Sequence, residues 1–295
     1  MRIGFIGAGK MGGPMVRFLV KAGYAVIVCD PDANARARAR SHGASDATSI
    51  RDCVAAADVV FSSLPNDEIL RTVALGPDGV LANAKPNLIY VETSTVSAAV
   101  SAEVAAGAAK FGVAYLRMPL SGNSNSAEAG QVTALVSGPP AAWEKIKPAV
   151  QKFSVAQVYV GDGEQARYMK LVINLLVANS ASLMAEALAL GRKGGIEWST
   201  MLDGLTASTI GSPWLKAKAN LLKTRDFTPT FTPDQLCKDI DLMLAAGDEL
   251  GIPMPMTATT RQLMKATNGD GYAGEDFIAV VKLFERLSGL PTDSV

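Results

Sequence analysis

Arg2-Ile3-Gly4-Phe5-Ile6-Gly7-Ala8-Gly9-Lys10-Met11-Gly12 is a short β-branched run that breaks into three spaced glycines and then resumes as an apolar helical pattern. Strand, Gly-x-Gly-x-x-Gly turn and helix in that order form a dinucleotide-binding fingerprint. Gly7 permits the tight turn, Gly9 lets backbone approach a pyrophosphate, and Gly12 lets the helix pack closely on the strand. The helix expected from about Lys10 to Ala22 presents its N-terminal amides and dipole to the phosphates. Gly7, Ala8, Gly9, Lys10, Met11 and Gly12 are therefore candidate cofactor-binding residues.

Working outward, Ala25–Asp30 reads as a second buried strand ending in an acid about 20 residues beyond the glycines, where a carboxylate can accept hydrogen bonds from the adenosine ribose. That reading of Asp30 favours NAD over NADP. The competing reading is that Asp30 caps a helix beginning near Asn34 or belongs to the Asp-Pro-Asp turn; an arginine among Arg36, Arg38 and Arg40 could hold a 2′-phosphate, but their alternation puts them on different helix faces, as for solvated surface in at least two. Further strands are expected at residues 58–63, 87–92, 113–117, 132–137 and 157–160, with helices between them. This pattern predicts a doubly wound, mostly parallel α/β sheet. Ligands in such sheets lie beyond the C-terminal strand ends, which singles out Leu64-Pro65-Asn66, Thr93-Ser94-Thr95 and residues 119–123. Turn chemistry and helix capping are the competing explanation for each of these loops.

From about Glu164 no strand pattern recurs. Residues 164–193 read as one helix on the order of 45 Å long, followed by helices punctuated at Gly211-Ser212-Pro213, Thr228-Pro229 and Gly251-Ile252-Pro253. Two domains follow: a dinucleotide-binding domain over residues 1–163 and an all-helical domain over 164–295, with the long helix at the junction. No charged residue lies between Lys170 and Glu186, so that helix is expected to be largely buried. Lys170 and Asn174, four residues apart, project from one face. A desolvated lysine there would have its ammonium form disfavoured and could shuttle a proton. On spacing alone, a lysine snorkelling to the surface explains the pattern better.

Composition narrows the classes. The chain of 295 residues is 48% hydrophobic, with 28 basic and 28 acidic residues. Balanced charge without runs gives no nucleic-acid or membrane footprint and points to a small-molecule partner. Cys29, Cys53 and Cys237 are too few and scattered for a disulfide framework or a metal site, so no metal is expected. No apolar stretch is expected to reach membrane-spanning length and no signal-peptide core is evident, which suggests a cytoplasmic protein. The single histidine, His42, precedes Gly43 at an expected helix C-terminus. Histidine-dependent nucleophile systems are thereby disfavoured, and proton transfer falls to Lys, Asp, Glu, Tyr or Cys.

Several ordered segments together are similar to the β-hydroxyacid dehydrogenase family, which includes 3-hydroxyisobutyrate dehydrogenases and tartronate semialdehyde reductases and, more distantly, 6-phosphogluconate dehydrogenases and imine reductases. They are the opening fingerprint, Leu64-Pro65-Asn66, Glu92-Thr-Ser-Thr95, Pro119-Leu-Ser-Gly122, Gly161 through Lys170 to Asn174, and Lys238-Asp239. The resemblance covers nearly the whole chain. It implies a Rossmann-type N-terminal domain, a long interdomain helix and an all-α C-terminal domain. It also implies Lys170 as general acid/base and Asn174 as the residue orienting the reacting hydroxyl. Ser121, Gly122 and Asn123 match the family's substrate-carboxylate segment. Leu64 and Pro65 fall in the cofactor site, and Thr95 and Lys238 match positions near the nicotinamide. Where the family commonly has Asp-Ala-Pro-Val-Ser-Gly-Gly, this chain has Arg117-Met-Pro-Leu-Ser-Gly-Asn123. Arg117 either extends anion binding or pairs with an acid.

The expected activity is hydride transfer between NAD, with NADP possible, and a small 3-hydroxy acid or its semialdehyde, in a homodimer or homotetramer formed through the helical domain. Two alternatives are an imine reductase-like NADP-dependent enzyme, which usually replaces the lysine, and a catalytically silent dinucleotide-binding module.

Overall fold

In the computed structural model, which describes residues 1–292, the chain divides into two compact units, Met1–Val172 and Ile173–Val295. The strands of the first unit are β1 (Arg2–Ile6), β2 (Ala25–Cys29), β3 (Ser45–Asp46), β4 (Val59–Ser62), β5 (Ile89–Glu92), β6 (Ala114–Arg117), β7 (Leu120–Ser121), β8 (Val132–Ser137) and β9 (Ser154–Gly161). They form one sheet in the order β3-β2-β1-β4-β5-β6-β8-β7, with β9 on β8. The first six are parallel, the doubly wound order 3-2-1-4-5-6. β8 runs antiparallel to β6 and β7 and parallel to β9. Sequence patterning misses β3 and β7, each a two-residue strand too short to show alternation.

The central strands are buried on both faces. Ile3, Phe5, Val26, Val28, Val59 and Phe61 point into one core, while Ile6, Val60 and Tyr90 point into the other, as the two-residue period of a strand requires. The first core is completed by α1 (Gly12–Lys21), α2 (Ala33–Ser41), α6 (Ser124–Glu128) and α7 (Pro140–Val150). The second is completed by α3 (Ile50–Ala56), α4 (Asp67–Leu75) and α5 (Ala98–Lys110). Fully buried Phe5 and Phe61 stack with ring centroids 5.8 Å apart, and each buried phenyl ring contributes about 2–3 kcal/mol.

α8 (Gln165–Lys193) is one unbroken helix of 29 residues, about 43 Å at 1.5 Å per residue, and the division between the units falls within it. Two expectations about it need correcting. It is not largely buried: Val172, Leu176, Leu183 and Leu190 are 53%, 62%, 53% and 76% exposed. It also does reach membrane-spanning length, with an 18-residue window of mean hydropathy 1.6, of which 39% is buried. Charge-free sequence marks apolar composition, but it does not say whether every face finds a partner within one chain.

Among its described residues the second unit has helices and no strand. α9 (Trp198–Ala207), α10 (Pro213–Lys223), α11 (Pro233–Leu250), α12 (Pro255–Thr267) and α13 (Val280–Leu287) follow the long helix. Ser212 caps α10 ahead of Pro213, and Gly251 ends α11 in the left-handed region, both as expected of these residues. α11 begins later than the Thr228-Pro229 signal suggests. Thr232 and Gln235 form a capping box around Pro233. Polar staples join the connecting segments to the helices. Lys218 reaches Asp276 at 2.7 Å, Thr230 Oγ1 donates to the same carboxylate, and Arg225 grips Glu285 bidentately.

Candidate active site

The glycine-rich turn sits where β1 meets α1, next to the C-terminal end of β4, the switch point at which strand order reverses. Gly7 has φ +88°, and a Cβ there would strike the Ser63 carbonyl; a Cβ at Gly12 would strike the Gly7 carbonyl. Gly9 differs, because a Cβ would meet no protein atom within 4 Å. Packing does not require glycine there, but a ligand approaching the helix would. α1 begins at Gly12 rather than Lys10, and no side chain caps its N-terminus, so its amide end suits an anion. A cavity of about 240 Å³ adjoins the turn, with Lys10, Arg17 and Arg38 set against Glu128. This turn therefore fits a dinucleotide.

Asp30 is tied into the same turn. Its Oδ2 accepts from Ala8 N at 2.7 Å and its Oδ1 from Asp32 N at 2.8 Å. Each carboxylate oxygen has two lone pairs, so acceptor capacity remains for ribose hydroxyls. The cap of α2 is Asp32, whose side chain accepts from Asn34 N at 2.9 Å, and not Asp30. Arg36 donates to the Asp30 and Pro31 carbonyls and Arg40 pairs with Asp46, while exposed Arg38 lies 3.9 Å from Asp32 and lines the cavity beside the turn. His42 caps the C-terminus of α2.

The loops after β4 and β5 are locked together. Leu64 N donates to Ser94 Oγ at 2.7 Å, and Thr93 Oγ1 donates to the Ser62 carbonyl at 2.7 Å. Leu64 is half-buried, Pro65 exposed and Thr95 half-buried, while Asn66 caps α4. After β7, Gly122 adopts φ +139°, and Asn123 Oδ1 caps α6 by accepting from Ser126 N at 3.0 Å. Among the described residues nothing pairs with the Asn123 NH₂ or with the hydroxyl of Ser121, half-buried at the end of β7, so both can meet a ligand.

Lys170 is only 7% exposed, so a lysine extending into solvent does not describe it. Asn174 is half-buried and donates through Nδ2 to Asp239 Oδ2 at 2.7 Å. Asp239 is 3% exposed and stands 2.9 Å from the Lys238 ammonium. Asp239 thus fixes the orientation of the Asn174 amide, a role its place beside Lys238 in the sequence does not disclose. Arg117 is buried and paired with Glu164, which decides between its two readings in favour of an ion pair.

A second buried arginine is not singled out by the sequence. Arg167, fully enclosed, donates to the Ser94 carbonyl at 2.7 Å, to Ser101 Oγ and Tyr115 Oη at 3.1 Å each, and to the Glu92 carboxylate. Burial alone would lower its pKa, but the Glu92 charge and Tyr115 outweigh burial and hold it above the ordinary arginine value. An arginine amid helical residues reads as surface in a sequence. The partner carboxylate, 75 positions earlier, is what makes its burial tolerable.

Two family models divide the chain between them. The NAD binding domain of 6-phosphogluconate dehydrogenase matches residues 2–161, and the NAD-binding domain of NADP-dependent 3-hydroxyisobutyrate dehydrogenase matches residues 164–284. The chain belongs to the β-hydroxyacid dehydrogenase family. Among its relatives, a 2-(hydroxymethyl)glutarate dehydrogenase of Eubacterium barkeri is 37% identical over 98% of this chain and 97% of its own. An NAD-dependent L-serine dehydrogenase of Pseudomonas aeruginosa is 33% identical over 98% and 99%. The structure of Mycobacterium tuberculosis 3-hydroxyisobutyrate dehydrogenase with L-serine superposes with a TM-score of 0.87 at 28% identity, covering 96% of this chain and 99% of the other. This β-hydroxyacid dehydrogenase is accordingly an oxidoreductase that uses a nicotinamide dinucleotide and acts on the CH–OH group of a hydroxy acid.

Proposed function

We propose that the enzyme interconverts a small 3-hydroxy acid bearing a primary alcohol with its semialdehyde, prefers NAD, and uses Lys170 as general acid/base. The observation that carries this reading is the burial of Lys170 within the first two turns of α8. A buried amine at this place can exchange a proton with a substrate hydroxyl. The names of the three relatives above share one chemical unit, a CH₂OH group on the carbon that carries a carboxylate. When bound, the nicotinamide supplies a hydride acceptor or donor. Lys170 Nζ takes the hydroxyl proton during oxidation and returns it to the carbonyl oxygen during reduction, which keeps charge from building up on that oxygen. Asn174, its amide fixed by Asp239, orients the same oxygen. Ser121, Gly122 and the Asn123 NH₂ receive the carboxylate. Thr95 and Lys238 lie toward the nicotinamide end. Gly7, Ala8, Gly9, Lys10, Met11, Gly12, Asp30, Leu64 and Pro65 hold the rest of the dinucleotide.

The domains implied are 1–163 for the cofactor and 164–295 for substrate and self-association. The exposed apolar face of α8 supports assembly with further copies of the chain, and three unpaired cysteines support a reducing compartment such as the cytoplasm. A panel of 3-hydroxy acids, including L-serine, 3-hydroxyisobutyrate and 2-(hydroxymethyl)glutarate, assayed by nicotinamide absorbance with NAD and NADP, tests the substrate class. Turnover of at least one such acid with higher kcat/KM for NAD is expected. Activity confined to secondary alcohols or imines would overturn the proposal.

A further inference from the structure

Glu92 and Arg117 are register partners at the C-terminal ends of neighbouring parallel strands β5 and β6. Each pairs with a residue at the start of α8: Glu92 with Arg167 inside the helix, and Arg117 with Glu164 just before it. Residues three apart share a helix face, so two ion pairs of opposite polarity stand side by side and bind the beginning of α8 to the end of the sheet. All four residues are at least half-buried, and the Glu92–Arg167 pair is completely enclosed. An enclosed pair of this kind is a poor source of stability, because desolvation offsets much of the Coulomb attraction. Its strength is directional, since a planar guanidinium satisfies several acceptors at fixed angles.

What Arg167 fixes gives this geometry its consequence. Its guanidinium holds the Ser94 carbonyl, and the Glu92 carboxylate it pairs with accepts from the Ser94 N–H at 2.8 Å, so Ser94 is gripped by both of its backbone groups. Ser94 Oγ in turn receives Leu64 N. One side chain thereby couples both loops flanking the dinucleotide site to α8, one helical turn before Lys170. We infer that Arg167, with Glu92, is a positioning residue that sets the distance between the proton-transferring amine and the loop carrying Thr95. This inference rests on the assignment of Lys170 proposed above.

The test combines three variants with two readouts. In the double variant Glu92→Gln/Arg167→Met both buried charges are removed together, so the fold keeps no uncompensated ion. Its kcat is expected to fall on the order of 10²-fold while KM for the acid and for NAD changes less than about threefold, the pattern of lost alignment rather than lost binding. Hydrogen exchange at the Leu64 and Ser94 amides is expected to accelerate at least about tenfold. Arg167→Lys, which keeps the charge but not the planar fork, should fall between wild type and the double variant on both readouts, and it carries the same expectations if the double variant does not fold. Wild-type kcat in a folded variant, or a loss of kcat with unchanged exchange at those amides, would overturn the inference. Lys170→Ala, measured alongside, separates the two ideas. Wild-type turnover in that variant defeats the Lys170 assignment, whereas the exchange result reports on the coupling of the loops regardless.

Discussion

Asp30 shows how one carboxylate serves the protein and the cofactor together. Its two oxygens hold the Ala8 and Asp32 amides, so it shapes the glycine-rich turn, and its remaining lone pairs are left for ribose hydroxyls in the proposed cofactor site. In that proposed site a 2′-phosphate would meet the negative charge of Asp30 and Asp32. Asp30→Asn is therefore expected to weaken NADH binding about tenfold, the equivalent of roughly 1.4 kcal/mol, with no loss of NADPH affinity. Fluorescence titration with both nucleotides checks this, and an unchanged NADH-to-NADPH ratio would count against it. The acid was legible in the sequence because its distance from the glycines is set by one helix and one strand. Arg167 was not, because nothing local distinguishes a buried guanidinium from a solvated one. Asp239 stood in a matched segment, yet its hold on Asn174 spans 65 positions and depends on packing between helices that no periodicity specifies.

At the scale of elements, alternation and glycine spacing were enough to give seven of the nine strands and the long helix. They failed where an element was too short to show a period, as in β3 and β7, and where burial depended on partners, as in α8. Leu176, Leu183 and Leu190 recur every seven residues, two helical turns, and so lie along one side. Three large apolar side chains more than half exposed along one helix are unusual for a solitary chain. Light scattering of the 30.8 kDa chain is expected to give a dimer or tetramer, and Leu176→Glu/Leu183→Glu should shift it toward the monomer. A wild-type mass equal to one chain would contradict this use of α8.

For the whole molecule, the fold alone leaves the chemistry open, since a doubly wound sheet and a helical unit host many reactions. The family membership narrows it to hydroxy-acid oxidation and reduction, and the lone histidine sits at the end of α2, on the cavity beside the glycine-rich turn. Lys170 is the central claim because it alone turns a cofactor-binding chain into a catalyst with a named proton carrier. The direct test compares wild type, Lys170→Ala and Lys170→Arg with an accepted hydroxy acid and NAD, recording kcat together with NADH affinity. Arginine preserves the positive charge but cannot release a proton at any relevant pH. Both variants are expected to lose about 10²–10⁴-fold in kcat while binding NADH within about threefold of wild type. If either variant turns over at the wild-type rate, Lys170 does not carry the proton.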